Sequence, residues 1–177
     1  MTAVRLRRMR WWDLAEVARL DAEIFGADAW TTEYFWAELA APGRVFLVAE
    51  ENASPEAGRG PEDGSGPENG AAPENGSGLL GFAGLSVSGT QSDVLTIASH
   101  PRARGRGVGR ALLDALLARA REDGCEVVHL DVRADNAPAL GLYTSRGFTE
   151  LDRRPGYYAA DPATGVSPDA VLMRAFL

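Results

Sequence analysis

The run at residues 97–122, IASHPRARGRGVGRALLDALLARARE, decides how the chain is read. It opens as a short apolar strand, turns through arginine and glycine, and continues as a helix. Val108, Leu112, Ala115, Leu116 and Arg119 step by three and four, which sets Val108, Leu112 and Leu116 on one inward stripe. In the turn, Gly105, Gly107 and Gly109 remove Cβ where the backbone must come close to something. Their amides converge at a helix N-terminus, where the dipole favours negative charge. With Arg104, Arg106 and Arg110 beside them, this bend predicts a phosphorylated ligand. The alternative is a tight strand-to-helix turn and nothing more. Spacing excludes two other phosphate loops. Arg110 follows Gly109, so G-x-G-x-x-G fails, and no G-K-[ST] is present.

At 177 residues, 45% of them apolar, the chain is long enough for one domain with a sizeable core. No apolar run reaches the roughly 18 residues of a membrane span. The basic N-terminus lacks the apolar core of a secretion signal. Cys125 is the only cysteine, and His100 and His129 are the only histidines, so neither a disulfide nor a metal site is expected. A reducing cytoplasm is the expected compartment. The net charge of −7 is concentrated: residues 50–78 hold seven carboxylates against Arg59 alone, which leaves −1 for the rest. The basic patch around 102–110 is ligand-sized and makes no case for nucleic acid.

Outward from that run, alternation predicts an edge strand at 3–8. A helix follows, capped by Asp13, carrying Leu14, Val17, Leu20, Ile24 and Phe25 inward, and ended by Gly26. Thr31 or Thr32 starts a second helix that Pro42-Gly43 stops. Strands are predicted at 44–50, 79–88, 93–99, 126–132, 148–153 and 171–176, with a short helix at 136–146. Residues 51–78 differ in kind. From Pro55 they run PEAGRG, PEDGSG, PENGAA, PENGSG, with no apolar side chain larger than alanine, and predict a disordered hairpin insert. The prediction is an α/β domain over 1–177: a central mixed sheet with helices on both faces.

Arg104–Gly109 as R-x-x-G-x-G resembles the acetyl-CoA loop of the GCN5-related N-acetyltransferase (GNAT) superfamily, and the element order matches that fold outside the insert. Further motifs resemble its ribosomal-protein alanine N-acetyltransferase (RimI) branch: L-D-V-R-x-x-N at 130–136, then A-L-x-L-Y-x-x-x-G-F at 139–148. The D-A-W-T of 28–31, R-R-P-G-Y-Y at 153–158 and D-A-V-L-M at 169–173 agree. The resemblance implies transfer of acetyl from acetyl-CoA to the N-terminal α-amine of a protein, expected to be alanine on a small-subunit ribosomal protein.

By the same resemblance Asp131 stands where the branch has a glutamate base. It is one methylene shorter, by roughly 1.5 Å, a gap that a water relay can span. Tyr143 stands at the general acid, and its phenol, near pKa 10, is protonated at neutral pH. Without the resemblance, Asp131 is a strand-end carboxylate and Tyr143 a packing aromatic. Cofactor contacts are expected from Ile97, Ala98 and Ser99, from Arg104, Gly105, Arg106, Gly107, Val108, Gly109 and Arg110, and from Asn136, which also caps its helix. His100 is expected to be structural and His129 a core residue. Trp30, Tyr34, Tyr157 and Tyr158 are expected to face the peptide. Direct transfer is expected, with Cys125 excluded as an acyl carrier. Two other functions stay open: acetylation of lysine side chains or a small amine, and a non-catalytic acyl-CoA-binding module.

Overall fold

Alternating and helical apolar patterns fold into eleven regular elements in the computed structural model, which describes residues 4–51 and 78–177. In chain order they are β1 (Val4–Arg8), α1 (Leu14–Phe25), α2 (Thr32–Ala40), β2 (Arg44–Glu51), β3 (Leu79–Ser88), β4 (Gln91–Ser99), α3 (Val108–Glu122), β5 (Val127–Arg133), α4 (Ala137–Thr144), β6 (Thr149–Arg154) and β7 (Ala170–Phe176). The seven strands make one mixed sheet, ordered β1-β2-β3-β4-β5-β7-β6. Only β4 and β5 pair in parallel, and α3 supplies the crossover that parallel neighbours require. The expected element order holds throughout, with the mixed sheet at its centre.

Two apolar layers cover the sheet. On one face α3 buries Val108, Leu112, Leu113 and Leu116 against Leu80, Ala83 and Leu85 of β3. On the other, Leu14, Val17 and Leu20 of α1 and Phe35 of α2 cover Phe46, Val48 and Phe82. Each fully buried Leu or Phe is worth about 1.5–3 kcal/mol of transfer free energy, so the two layers dominate stability. Where β2 meets β3, Phe46 lies opposite Gly84, and a Cβ at Gly84 would run into the Phe46 ring.

Local signals act as expected at most element ends. Thr31 accepts from the Tyr34 amide at 3.2 Å and caps α2. Gly26 ends α1 at φ 57°. Asp13 departs from expectation, because its carboxylate makes no cap bond to α1. It accepts instead from the Arg10 amide at 2.7 Å and from both terminal nitrogens of Arg7, at 2.7 and 2.9 Å. A two-bond fork to the cationic Arg7 guanidinium outcompetes a single capping bond to a backbone amide. The predicted hexad insert lies at residues outside the described ones. Its flanking strands are paired, and the Glu51 amide donates to the Gly78 carbonyl at 2.8 Å.

Candidate active site

The site begins as a defect in the sheet. β4 and β5 pair from Gln91↔Val127 to Val94↔Leu130, and there the pairing stops. Beyond it β5 continues to pair with β7 alone. A bulge in β4 accompanies the parting: Gly84 pairs with Thr96 and Leu85 with Val94, so Leu95 has no partner in β3. The extra residue resets the alternation. Val94 and Ile97 pack on the α3 side, whereas Leu95 and Ala98 pack on the α1 side. The His100 amide donates to the Leu80 carbonyl at 2.8 Å. By antiparallel alternation Ala98 also turns its N–H and C=O to β3, while Ile97 and Ser99 turn theirs to the vacated edge. An extended ligand chain could add there as a strand does.

The gap is a cleft of about 480 Å³ whose walls come from both faces of the sheet. From the α3 face come Asn136, Pro138, Ala139 and Tyr143; from the α1 face come Asp21, Ile24, Phe25, Asp28 and Trp30. Strand alternation divides β5 in the same way. Leu130 and Val132 join the α3-side core, so Asp131 and Arg133 project toward α1. Tyr143 is 5% exposed, and its ring centroid lies 5.9 Å from that of Phe148. Burial pushes its phenol well above the ordinary value of 10, and the negative charge of an ionised Tyr158 would add to the effect. Asp131 is open to solvent, with Arg154 at 3.7 Å, a separation at which a half-exposed pair contributes little. The Tyr158 phenol is pushed up to about 12, mainly by burial and then by the charge of Asp131.

The arginine–glycine bend adjoins this cleft without lining it. A Cβ at Gly109 would lie 3.7 Å from Leu142 Cδ2 and 4.0 Å from Ser99 Oγ, which sets the start of α3 between α4 and the end of β4. Gly105 and Gly107 adopt φ of 75° and 77°, and a Cβ at either would meet nothing within 4 Å. Their backbone conformation, with open space in front, is what favours glycine. Gly107 caps α3 without a side chain, and the Ala111 amide takes its carbonyl at 2.9 Å. The amides of Val108, Gly109 and Arg110 thus belong to a first turn that has no carbonyl inside the helix to offer them. Open space, free amides and a vacated strand edge suit a long ligand carrying a diphosphate.

Charge at the bend differs from expectation in one respect. Arg104 is exposed, but Arg106 turns away to Glu51 at 2.8 Å, and its hydrogen bond holds the Glu51 carboxyl below the usual range. Arg110 lies 3.9 Å from Asp114. His100 Nδ1 accepts the Arg102 amide at 3.2 Å and caps a short turn at Pro101–Ala103, which is a structural role.

Of the four aromatics expected to face a peptide, Trp30 and Tyr158 line the cleft. Tyr34 and Tyr157 are 49% and 54% exposed and stand behind them, with ring centroids 4.6 Å from Trp30 and 5.2 Å from Tyr158. His129, expected in the core, is only half-buried, because it shares the outward register of Asp131 and Arg133. The Cys125 thiol is buried and donates to the Gln91 carbonyl at 3.7 Å, outside the cleft lining. Sequence reasoning missed Asp21, Asp28 and Arg133. Asp21 is 1% exposed, accepts the Trp30 amide at 2.6 Å, and is pushed by burial from 3.8 to about 6. A signal was available: Asp21 sits on the inward stripe of Val17, Leu20 and Ile24, where a carboxylate needs a partner.

Comparison with known proteins bears on the same elements. The Acetyltransferase (GNAT) family profile matches residues 11–148. The chain is 35% identical to the N-alpha-acetyltransferase RimI of Mycobacterium tuberculosis over 167 residues, which cover 92% of this chain and 85% of that protein. It is 39% identical over 83 residues to the [Ribosomal protein bS18]-alanine N-acetyltransferase of Escherichia coli K12, covering 47% of this chain and 54% of the relative. A stretch 46% identical over 100 residues spans 54% of this chain but only 26% of an uncharacterised Mycobacterium leprae protein. The fold superposes on Arabidopsis thaliana NAA60 in complex with acetyl-CoA with a TM-score of 0.77, at 21% identity and covering 99% of both chains. No helix among the described residues is long and apolar enough to cross a membrane.

Proposed function

The chain belongs to the acetyltransferase (GNAT) family, a family of acyl-transferring enzymes, and from that premise we propose that it transfers the acetyl group of acetyl-CoA directly to the N-terminal α-amine of a protein. The observation that carries this is the parted β4–β5 pair, with Tyr143 reaching the gap from one face and Asp131 from the other. The names of the Mycobacterium tuberculosis and Escherichia coli relatives support an α-amine acceptor, and the second supports alanine on a ribosomal protein. The Arabidopsis complex supports acetyl-CoA as donor.

Acetyl-CoA supplies the activated acyl group as a thioester. The amides at the start of α3 and the bend around Gly105 and Gly107 hold its diphosphate, and the vacated edge at Ile97 and Ser99 holds its pantetheine arm. Asn136 orients α4 by accepting the Ala139 amide at 3.2 Å, which keeps Tyr143 facing the gap. Asp131 takes a proton from the substrate ammonium through water, which its exposure permits, and leaves a neutral amine to attack the thioester. As the new C–N bond forms and the C–S bond breaks, Tyr143 donates a hydrogen bond to the departing sulfur, the nitrogen gives up its second proton to water, and the thiolate takes its proton from water. Its upward shift keeps the phenol protonated at every working pH. It also makes complete proton loss to a thiolate, whose conjugate thiol has a pKa of about 8.5, unfavourable. Tyr143 therefore works chiefly by stabilising developing charge.

The test is acetyl-CoA turnover, followed as free thiol, against peptides beginning Ala, Ser, Gly and Met. Faster turnover with Ala first supports the reading in full. Turnover only on internal lysine side chains would replace the acceptor, and cofactor binding without thiol release on any peptide would leave an acyl-CoA-binding module.

A further inference from the structure

Two loops carry the acceptor-side aromatics. Residues 26–31 between α1 and α2 bear Asp28 and Trp30, and residues 155–169 between β6 and β7 bear Tyr157 and Tyr158. Among the described residues one hydrogen bond joins these loops: the Ala159 amide donates to Asp28 Oδ1 at 2.9 Å, across 131 positions of sequence. Asp28 Oδ2 lies 3.7 Å from the Arg133 guanidinium at the end of β5. Arg133 also grips Asp135 at 3.0 and 2.8 Å and lies 5.8 Å from the centroid of the Tyr158 ring. Asp28, Arg133 and Tyr158 all line the cleft. The 155–169 loop is otherwise tied to the end of β5, among the described residues, only at its base, where the Ala134 amide donates to the Asp169 carbonyl at 2.9 Å. Its own bonds run from Tyr158 to Pro168, from Gly156 to Asp169, and around Asp161.

Resting on the function proposed above, we propose that Asp28 is a positioning residue that clasps the two loops and sets the width of the acceptor half of the cleft. Its carboxylate touches the loop backbone and Arg133, both parts of the chain, so its effect on the acceptor passes through Trp30 and Tyr158. The short Gly26–Asp28 turn delivers Asp28 to that place, and the bond from Trp30 to Asp21 anchors the same loop from behind.

The test uses the full chain and the variants Asp28→Ala and Asp28→Asn. Asparagine retains an oxygen for the Ala159 amide; alanine does not. Losing a hydrogen bond to a charged group corresponds to about a tenfold or larger effect. Asp28→Ala should therefore raise the peptide KM about tenfold, leave the acetyl-CoA KM in place, and speed hydrogen exchange at the Ala159 amide in the absence of any substrate. Asp28→Asn should restore most of the peptide KM and of the protection. An unchanged peptide KM in Asp28→Ala, an equal rise in the acetyl-CoA KM, or an Asp28→Asn variant as impaired as Asp28→Ala would each overturn the clasp. If wild-type protein acetylates no peptide N-terminus, the function proposed above falls, and the substrate-free exchange at Ala159 decides the clasp alone.

Discussion

Tyr143→Phe retains the ring that packs on Phe148 and removes only the hydroxyl, so it separates chemistry from packing. It should lower kcat by roughly 10²-fold with little change in acetyl-CoA affinity, in line with the loss of one hydrogen-bond donor aimed at developing charge. Single-turnover rates beside calorimetric cofactor binding check this; an unchanged kcat would return Tyr143 to the core as a packing residue. Asp21 makes a prediction about stability. Its folded pKa of about 6 exceeds the ordinary 3.8, so the folded state binds the proton more tightly than the unfolded one. Stability must then fall as pH rises from about 4 to about 6. Asp21→Asn removes this titration while retaining an oxygen for the Trp30 amide. The Tm of that variant minus the wild-type Tm should grow between about pH 4 and pH 7, and a constant difference would show that Asp21 titrates normally. At this scale the sequence was informative where a residue type is its own signal, as at Gly107, whereas Tyr143 was singled out only through the family resemblance. It was silent at Asp28, whose partner Ala159 is brought near only by tertiary folding.

Among the elements, β3 and β4 carry the decisive geometry. Gly84→Ala would push a methyl group into the Phe46 ring across the β2–β3 ladder. A destabilisation of about 1–3 kcal/mol, typical of overpacking, should appear as a lower midpoint in urea unfolding. Phe46→Leu in the same background should recover part of it by freeing space. The long helix was legible from its apolar period of 3.6, β1 and β5 from alternation, and β3 from a continuous apolar run bounded by turn residues. The Leu95 bulge was not, since a run reading VLTIAS alternates no more clearly with one extra residue than without it. The cleft follows from that bulge and from the early end of β4–β5 pairing, so its existence could only be inherited from the family resemblance. His129 was misassigned for a related reason: a register one residue over turns a core position outward.

For the whole molecule, the two apolar layers and the sheet are described within residues 4–51 and 78–177. The Glu51 amide already meets the Gly78 carbonyl, so a tight turn can join β2 to β3 directly. Replacing residues 52–77 by an Asn-Gly pair, which favours the required turn, should leave Tm within a few degrees and peptide acetylation near the wild-type rate. A collapse in either, read by calorimetry and thiol release, would assign the segment a structural or functional part. Because Tyr143 and Asp131 enter the gap between β4 and β5 from opposite faces, that gap works as a doorway with two thresholds. Donor and acceptor can each arrive while the other is already seated, so initial-rate plots should intersect rather than run parallel. A synthetic compound tethering the two would fill both entrances at once and should compete with donor and acceptor alike.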